Sequence, residues 1–219
     1  MSAARNYFAW QARLVKPEIG RRVVEVGCGI GNFTQAMLDR EAVLGVDIDG
    51  ECLETWRSRY PHLIPMLADV TNLPMDELGR FQPDSCVCLN VLEHVDDDAA
   101  ALRAMASALP ADGVIVLLVP AFQSLQGAID RNLGHRRRYT RDSMTRLAAG
   151  AGLRIRKLRY MNLAGFFGWW LNARVLKREA HSKAQIAFAD RIAIPLTSRL
   201  EALIAPPFGQ SLFCVLTKS

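Results

Sequence analysis

The sequence of 219 residues has no apolar run near the length of about 18 residues or more that would suggest a membrane-spanning helix. It has no internal repeat and no low-complexity tract, which argues against repeat and fibrous architectures. Its five cysteines are an odd set without a C-x-x-C pair, and no basic region followed by an apolar stretch stands at the amino terminus. These absences favour a protein of the reducing cytoplasm.

Positive charge is in modest excess and forms no concentrated stripe. The net charge is +5 and the isoelectric point is near 9.1, but the basic residues are spread over the second half and are balanced by many acids. Only Arg136-Arg137-Arg138-Tyr139 combines clustered cations with an aromatic residue, whereas a nucleic-acid surface needs a longer basic stripe of this kind. We therefore predict no nucleic-acid partner.

Apolar residues make up 50% of the chain, which is enough to bury the core of one compact domain. We predict a single domain over 1–219, with a cofactor-binding core at about 18–119 and lid and substrate-side elements at about 120–210. Strands alternate with helices after a first helix over 4–15, which is typical of an α/β fold whose parallel sheet is covered on both faces. The predicted strands begin at Val23 and continue at 42–46, 63–68, 84–89, 114–119, 153–160 and 212–217, with helices over 51–60, 98–109 and 141–149.

The first predicted strand runs directly into three glycines at alternate positions. The stretch Val-Val-Glu-Val-Gly-Cys-Gly-Ile-Gly over 23–31 ends in a loop that lacks Cβ atoms at 27, 29 and 31, so its backbone can turn sharply and approach a ligand. A helix predicted to begin near Asn32 points its free amides at that ligand. A dinucleotide-binding G-x-G-x-x-G loop requires glycine at position 32, so the spacing disfavours a nicotinamide-dependent oxidoreductase.

The pattern E-x-G-x-G-x-G, headed by Glu25, resembles the first motif of class I S-adenosylmethionine (SAM) dependent methyltransferases. The resemblance implies that SAM is the cofactor and that its site includes Glu25, Gly27, Cys28, Gly29 and Gly31. It also implies a Rossmann-like doubly wound sheet of seven strands with an antiparallel last strand. A nucleophilic role for Cys28 is disfavoured, because the position requires only a small side chain.

Polar side chains also follow the next three predicted strands. Asp47 stands about 20 residues after the first glycine, where doubly wound nucleotide folds place a carboxylate that binds both ribose hydroxyls, and Ile48 follows it. The resemblance implies that Asp69 accepts a hydrogen bond from the adenine amino group, that Val70 lies against the ring, and that Asn90 flanks the methionine part. Taken singly, the two aspartates are equally compatible with strand-end turns or helix caps.

The segment that begins at Asn90, Asn-Val-Leu-Glu-His-Val-Asp-Asp-Asp, is similar to the region after the fourth strand of small-molecule methyltransferases, including quinone O-methyltransferases. Within it, Glu93 and His94 are candidate metal ligands, a role that some quinone methyltransferases with a similar segment suggest. The alternative is that the pair packs beside the cofactor, and we predict no metal site.

Residues 120–140 form the longest irregular stretch, and loops of this length often serve as lids or binding loops. We predict that His135 accepts a proton from an acceptor hydroxyl, because a neutral imidazole suits general-base work near neutral pH. The alternative is a histidine that only fixes the loop. Tyr139 is predicted to contact the substrate at the pocket wall.

Residues 162–205 are predicted to insert two helices before the last strand. Phe166, Phe167, Trp170 and Arg174 recur there at helical spacing, so the 163–178 helix carries an aromatic stripe. The stripe can be buried in three ways: in the core, in a homodimer contact, or at a membrane surface. In the last case the nearby cations suit anionic headgroups. These cations are Lys177, Arg178 and Lys183.

Together these features predict SAM-dependent methyl transfer to a small-molecule acceptor by in-line displacement, with O-methylation favoured. The alternatives are C- or N-methylation, methylation of a lipid-like acceptor at the membrane surface, and a scaffold that binds SAM without catalysis. A base is needed only where the acceptor must lose a proton to become nucleophilic.

Overall fold

The computed structural model describes residues 4–172 and 183–218 and is built around a mixed β-sheet. Its strands, in chain order, are β1 (Arg22–Val26), β2 (Ala42–Asp47), β3 (Ile64–Leu67), β4 (Ser85–Leu89), β5 (Val114–Pro120), β6 (Leu153–Met161) and β7 (Ser211–Lys218). They form one seven-stranded sheet in the order β3-β2-β1-β4-β5-β7-β6. Only β7 runs antiparallel to its neighbours, which confirms the predicted doubly wound sheet with an antiparallel last strand.

Most helices lie close to their predicted positions, but the helix Met75–Phe81 was not predicted and the insertion holds three helices in the described residues rather than two. The helices are α1 (Arg5–Val15), α2 (Gly50–Arg59), α3 (Met75–Phe81), α4 (Asp98–Ser107), α5 (Ala128–Asn132), α6 (Arg141–Gly150), α7 (Leu163–Trp170), α8 (Lys183–Phe188) and α9 (Ile194–Leu203). The stretch over 120–140 is less irregular than predicted, because it contains α5 and a short 3-10 turn.

The helix predicted to begin near Asn32 is instead a single 3-10 turn over Thr34–Met37. Thr34 and Met37 are both fully buried and stand three residues apart. Side chains at that separation eclipse one another in a 3-10 helix, whereas an α-helix rotates them apart. The burial of both side chains therefore favours the tighter turn.

The sheet has an apolar core on each face, because side chains alternate along buried strands. Val24 and Leu44 pack on one face with helices α4 and α6, whereas Val23 and Val43 pack on the other face with α1. Burial of both faces explains why the central strands are continuously apolar rather than alternating.

The order of the strands creates a crevice at one edge of the sheet. Strand β1 lies between β2 and β4, so the connections that leave β1 and β4 run in opposite directions. In open α/β sheets, ligands bind at this switch point, outside the carboxyl ends of the strands. The glycine loop follows β1 and Asn90 follows β4, so both predicted site segments lie at the crevice.

The helical insertion before β7 is present as α7, α8 and α9, with a π-helical turn over Ala189–Ala193 between the last two. In α7, Trp169 is buried and Phe166 is partly buried, whereas Phe167 and Trp170 are exposed. The predicted stripe therefore divides between the protein interior and solvent. Arg174, Lys177 and Arg178 lie outside the described residues.

Helix α1 is held to the insertion by a buried carboxylate. Its own N-cap residue offers no side-chain cap. Instead, Asp190 accepts hydrogen bonds from the backbone N–H groups of Asn6 (3.1 Å) and Tyr7 (2.9 Å). Because the first N–H groups of a helix have no partner within the helix, this carboxylate satisfies two of them and ties residues 184 positions apart.

We expect Asp190→Ala to lower the free energy of unfolding by about 1–3 kcal/mol, because it leaves two amides of α1 without partners in a poorly solvated site. Urea unfolding followed by circular dichroism measures this change. Asp39→Ala removes an exposed carboxylate and is the matched control. Equal stability of the two variants contradicts the capping role of Asp190.

Candidate active site

The glycine loop takes the backbone conformation that its three glycines predict. Gly27, Gly29 and Gly31 have φ angles of 70°, 50° and 82°, in the left-handed region that residues with a Cβ rarely adopt. At Gly27 an added Cβ would lie 2.1 Å from Val91 Cγ2, so the loops after β1 and β4 touch there. At Gly29 an added Cβ meets nothing within 4 Å, so this face of the loop is open to a ligand.

Asp47 is oriented by backbone amides. Its Oδ2 accepts a hydrogen bond from the N–H of Gly29 at 2.7 Å, and its Oδ1 accepts one from the N–H of Asp49 at 3.0 Å. A carboxylate oxygen has two lone pairs, so each oxygen retains one for a further donor. The arrangement fits a carboxylate that receives two adjacent ribose hydroxyls.

The larger cavity, of about 710 Å³, lies on the β2 side of the glycine loop. Its volume falls within the range of about 300–1,000 Å³ that is common for small-molecule sites. Its lining brings together Gly27, Asp47, Ile48, Asp69 and Val70, the residues predicted to surround the adenosine part of SAM. Two carboxylates beside apolar side chains suit a ribose and a purine.

The smaller cavity, of about 180 Å³, adjoins the same loop on the β4 side. Glu25, Cys28, Gly29 and Asn90 line it. Asn90 has a φ of 54°, which is uncommon for a residue with a side chain and is often found where function requires a constrained backbone. Both cavities share Val26 and Gly27, so the predicted adenosine and methionine sites adjoin at the end of β1.

Glu25 supports the loop from beneath. The side chain is buried and accepts a hydrogen bond from the hydroxyl of Thr34, and that hydroxyl in turn accepts a bond of 2.8 Å from Trp56 Nε1. Burial raises the pKa of Glu25 to about 8. Burial likewise raises the pKa of the Cys28 thiol well above its usual range, so this cysteine stays protonated and is a poor nucleophile.

A second network of charged groups lies under the segment that was predicted to form the lid. Its centre is Asp130, which is fully buried and accepts hydrogen bonds from His135 Nδ1 at 2.9 Å and from Arg138 Nε at 2.8 Å. The indole N–H of Trp169 lies 3.3 Å from its other carboxylate oxygen. Burial opposes ionisation of Asp130, but the bond from His135 and the charge of Arg138 prevail and lower its pKa.

Glu93, His94 and His135 meet beside this network. Glu93 is fully buried, neither of its carboxylate oxygens has a hydrogen-bond partner within the described part of the chain, and burial raises its pKa to about 8. His135 Nε2 lies 3.9 Å from Glu93 Oε1, and the ring of His94 stands edge-on to that of His135 at 4.9 Å. Burial and the neighbouring His135 lower the pKa of His94, so its imidazole is neutral at pH 7.

These three side chains each offer one ligand atom within 4.8 Å of the others. The pair considered as metal ligands in the sequence therefore gains a third candidate, His135, which is more than 40 positions away in the chain. Proximity of this kind is compatible with a proton-handling cluster as well as with a metal site.

Tyr139 lines neither cavity. The side chain is buried, and its hydroxyl lies 3.0 Å from Asp98 Oδ2 and 3.2 Å from the carbonyl oxygen of Leu92. Burial and the Asp98 carboxylate raise its pKa well above the usual value. The residue thus fastens the lid segment to the start of α4, and its predicted contact with substrate stays a prediction.

Several lining residues were not predicted from the sequence. Arg136 lines the larger cavity, and Phe8 and Gln11 of α1 line the smaller one; His94, for which a place beside the cofactor was one of two alternatives, also lines the larger cavity. Trp10 of α1 is packed in the core, with Tyr7 against it. Helical periodicity predicts which face of α1 packs on the sheet. It does not predict which cavity the helix borders.

Comparison with known proteins agrees with this geometry. A sequence-family model described as "Methyltransferase domain" matches residues 3–158. The chain is 34% identical over 103 residues to the ubiquinone biosynthesis O-methyltransferase of Neisseria meningitidis serogroup C (strain 053442), a match that covers 44% of this chain and 42% of that protein. It is 30% identical over 167 residues to the protein of the same description from Idiomarina loihiensis, covering 67% of this chain and 68% of that protein.

The match to the Neisseria relative thus spans less than half of that protein's length. Among solved structures, the S-adenosylmethionine dependent methyltransferase from Mesorhizobium loti has a TM-score of 0.64 at 19% identity, and the match covers 95% of this chain and 96% of that one. At this identity, the structural similarity concerns the fold.

We expect Asp47→Ala to weaken the binding of SAM about 10- to 100-fold, because charge-assisted hydrogen bonds to the ribose are lost. Isothermal titration calorimetry measures the affinity. Asp112→Ala, which removes an exposed carboxylate from the turn before β5, is the control and leaves the affinity unchanged. Wild-type affinity in Asp47→Ala contradicts the assignment of the larger cavity to adenosine.

The raised pKa of Glu25 also sets a pH dependence. A carboxyl with a folded-state pKa of about 8 and an unfolded value near 4.5 holds its proton more tightly when folded, so its contribution to stability is full at low pH and is lost as the pH rises from about 4.5 to 8. We expect Glu25→Gln to flatten this decline, by up to about 1.4 kcal/mol for each pH unit. Urea unfolding at several pH values measures this dependence. Glu77→Gln, on the exposed face of α3, is the control. Parallel curves of stability against pH for wild type and Glu25→Gln contradict the raised pKa of Glu25.

Proposed function

Because this chain belongs to the methyltransferase domain family and is a SAM-dependent methyltransferase, we propose that it methylates a hydroxyl group of a small-molecule acceptor. The proposal adds two points to the family: that the acceptor is a small molecule, and that its oxygen atom is methylated. They are supported by the ionisable cluster beside the larger cavity and by the descriptions of the relatives.

The residues present fit the cofactor. When bound, SAM supplies a methyl group carried on a positively charged sulfonium. Asp47 would hold the ribose hydroxyls and Asp69 the adenine amino group. Ile48 and Val70 would lie against the purine. The open face of Gly29 leaves room for backbone approach. The protein's main task is then to align the acceptor, since orientation of two reactants supplies much of the rate enhancement in such transfers.

The cluster around His135 supports a hydroxyl acceptor, which must lose a proton as it attacks. The Asp130 carboxylate accepts the Nδ1–H of His135 at 2.9 Å, an arrangement that assigns the proton to Nδ1 and leaves the lone pair on Nε2. A carboxylate that fixes the tautomer of a histidine also stabilises the imidazolium after proton uptake. His135 lines neither cavity and its side chain is 11% exposed; its Nε2 lies 3.9 Å from Glu93 Oε1, in the cluster whose member His94 lines the larger cavity. We assign it the role of general base.

The proposed acceptor is an aromatic hydroxyl, on the descriptions of the relatives, and an aromatic cluster that includes Trp169 of the lid network is compatible with it. Phe122, directly after β5, has a strained φ of 61° and stacks on Tyr160 with ring centroids 4.7 Å apart. Its ring also meets Phe166 of α7 edge-on at 5.7 Å. The relatives from Neisseria and Idiomarina are described as ubiquinone biosynthesis O-methyltransferases, which supports the same acceptor class for this chain.

A mass-spectrometric screen of phenols, hydroxylated quinones and carboxylic acids with SAM tests the proposal directly. We expect a gain of one methylene on an aromatic hydroxyl. Methylation of nitrogen or carbon, or of carboxylic acids alone, contradicts the proposed chemistry. Binding of SAM without transfer to any acceptor supports instead a scaffold without catalysis.

We expect His135→Gln to lower kcat about 100- to 10,000-fold with little change in SAM affinity, because a general base acts on the chemical step. His62→Gln, at an exposed position after α2, is the matched control. Unaltered turnover in His135→Gln, or a loss confined to His94→Gln, removes His135 from the mechanism. If a chelator abolishes turnover of the wild type and a divalent cation restores it, the cluster of Glu93, His94 and His135 binds a metal ion instead.

A further inference from the structure

The insertion before β7 presents a continuous apolar stripe to solvent. Five apolar residues recur at every fourth position from α8 to the end of α9, and their side chains are between 56% and 77% exposed. They are Phe188, Ile192, Leu196, Leu200 and Ile204, which we call the insertion stripe. Residues four apart lie on the same face of a helix, so the insertion stripe is one surface. A surface helix normally turns such a stripe toward the core.

The opposite face of the same helices is buried and polar. Asp190 and Ser198 face α1, where Asp190 caps the helix and Ser198 accepts a hydrogen bond from Arg13. Glu201 accepts hydrogen bonds from the backbone N–H groups of Asn162 (3.0 Å) and Leu163 (2.8 Å). The helices are therefore largely inverted: apart from Ile194, which packs in the core, the buried side chains are polar, and the aliphatic side chains of the insertion stripe point outward. The inward contacts fix this orientation, so the insertion stripe cannot be buried by rotating the helix.

The charges that remain exposed beside the insertion stripe have one sign. Arg191 and Arg199 lie on the same helices and are exposed, whereas the acids Asp190 and Glu201 are buried. Within the described part of the insertion, no exposed acid accompanies these arginines. Helix α7 packs beside α9 and adds exposed Trp170, a residue type that favours the interface between lipid and water.

We propose that the insertion stripe docks this enzyme onto the surface of an anionic phospholipid membrane. A helix with an apolar face flanked by cations binds at the level of the headgroups and acyl-chain boundary, and anionic lipids add electrostatic attraction. A symmetric contact between two copies would bring the arginines of one stripe toward those of the other, which is unfavourable. None of the helices described over 4–172 and 183–218 has the length and apolarity that a bilayer span requires.

The docked surface is connected to the lid network through α7. Glu201 of α9 holds the backbone at the start of α7, and Trp169 of α7 reaches the carboxylate of Asp130. These contacts join the docked helices to the lid network through α7. The docking itself does not depend on the acceptor or on the role of His135.

Co-sedimentation of the full chain with lipid vesicles tests the proposal. We expect binding to vesicles of phosphatidylglycerol and phosphatidylcholine at low salt, and weaker binding to phosphatidylcholine alone or at high salt. Leu196→Gln with Leu200→Gln should weaken the binding about ten-fold or more for each leucine. Arg191→Gln with Arg199→Gln should weaken it about five-fold for each arginine.

Ile64→Gln is the matched control, because it replaces an exposed aliphatic residue on the edge strand β3, and it should bind vesicles as wild type does. His135→Gln should also bind vesicles normally, which separates failure of docking from failure of the catalytic proposal. Absence of binding to anionic vesicles, or wild-type binding by the double leucine variant, overturns the proposal. So does a dimer, detected by sedimentation equilibrium, that the leucine substitutions dissociate while vesicles fail to bind.

Discussion

One hydrogen bond organises the cofactor side of this protein: the N–H of Gly29 donates to the carboxylate of Asp47 at 2.7 Å. It forms because β1 and β2 are parallel neighbours in register, so the residues that follow them emerge side by side at the same edge of the sheet. The bond holds the glycine loop open and fixes the carboxylate at the boundary of the larger cavity. Both functions fail if β1 and β2 shift in register by one residue.

Buried carboxylates join the remaining parts to this core, Asp190 and Glu201 through donors far away in sequence and Asp130 through the nearby His135 and Arg138. Asp190 caps α1, Glu201 holds the start of α7, and Asp130 gathers the lid around His135. Burying a charge is unfavourable unless it is hydrogen-bonded, so each carboxylate specifies one arrangement of its neighbours. Glu93 lacks such partners within the described chain and keeps its proton to higher pH, which suits a group that takes part in chemistry rather than in architecture.

Local patterns were sufficient to predict the strands and the residues at their ends, and the resemblance to class I methyltransferases implied the seven-stranded sheet with its antiparallel last strand. Apolar runs end just before Gly27, Asp47, Asp69 and Asn90. Because parallel strands end at the same edge of the sheet, these residues lie there independently of the packing of the later segments. The inverted helices could not be predicted, since periodicity shows that α9 has an apolar face but not which way it points. That direction follows from Asp190 and Glu201, whose partners are about 40 to 180 positions distant. The meeting of His135 with Glu93 is likewise tertiary, and the short 3-10 turn at Thr34 reflects burial that no local propensity encodes.

The crystal structure of the protein with S-adenosylhomocysteine, the demethylated product of SAM, tests the central claim most directly. The account predicts the adenosine in the larger cavity, beyond the carboxyl ends of β1, β2 and β3, with both ribose hydroxyls on the Asp47 carboxylate and the amino-acid end beside Asn90. A nucleoside bound elsewhere, or a ribose that makes no contact with Asp47, would contradict it.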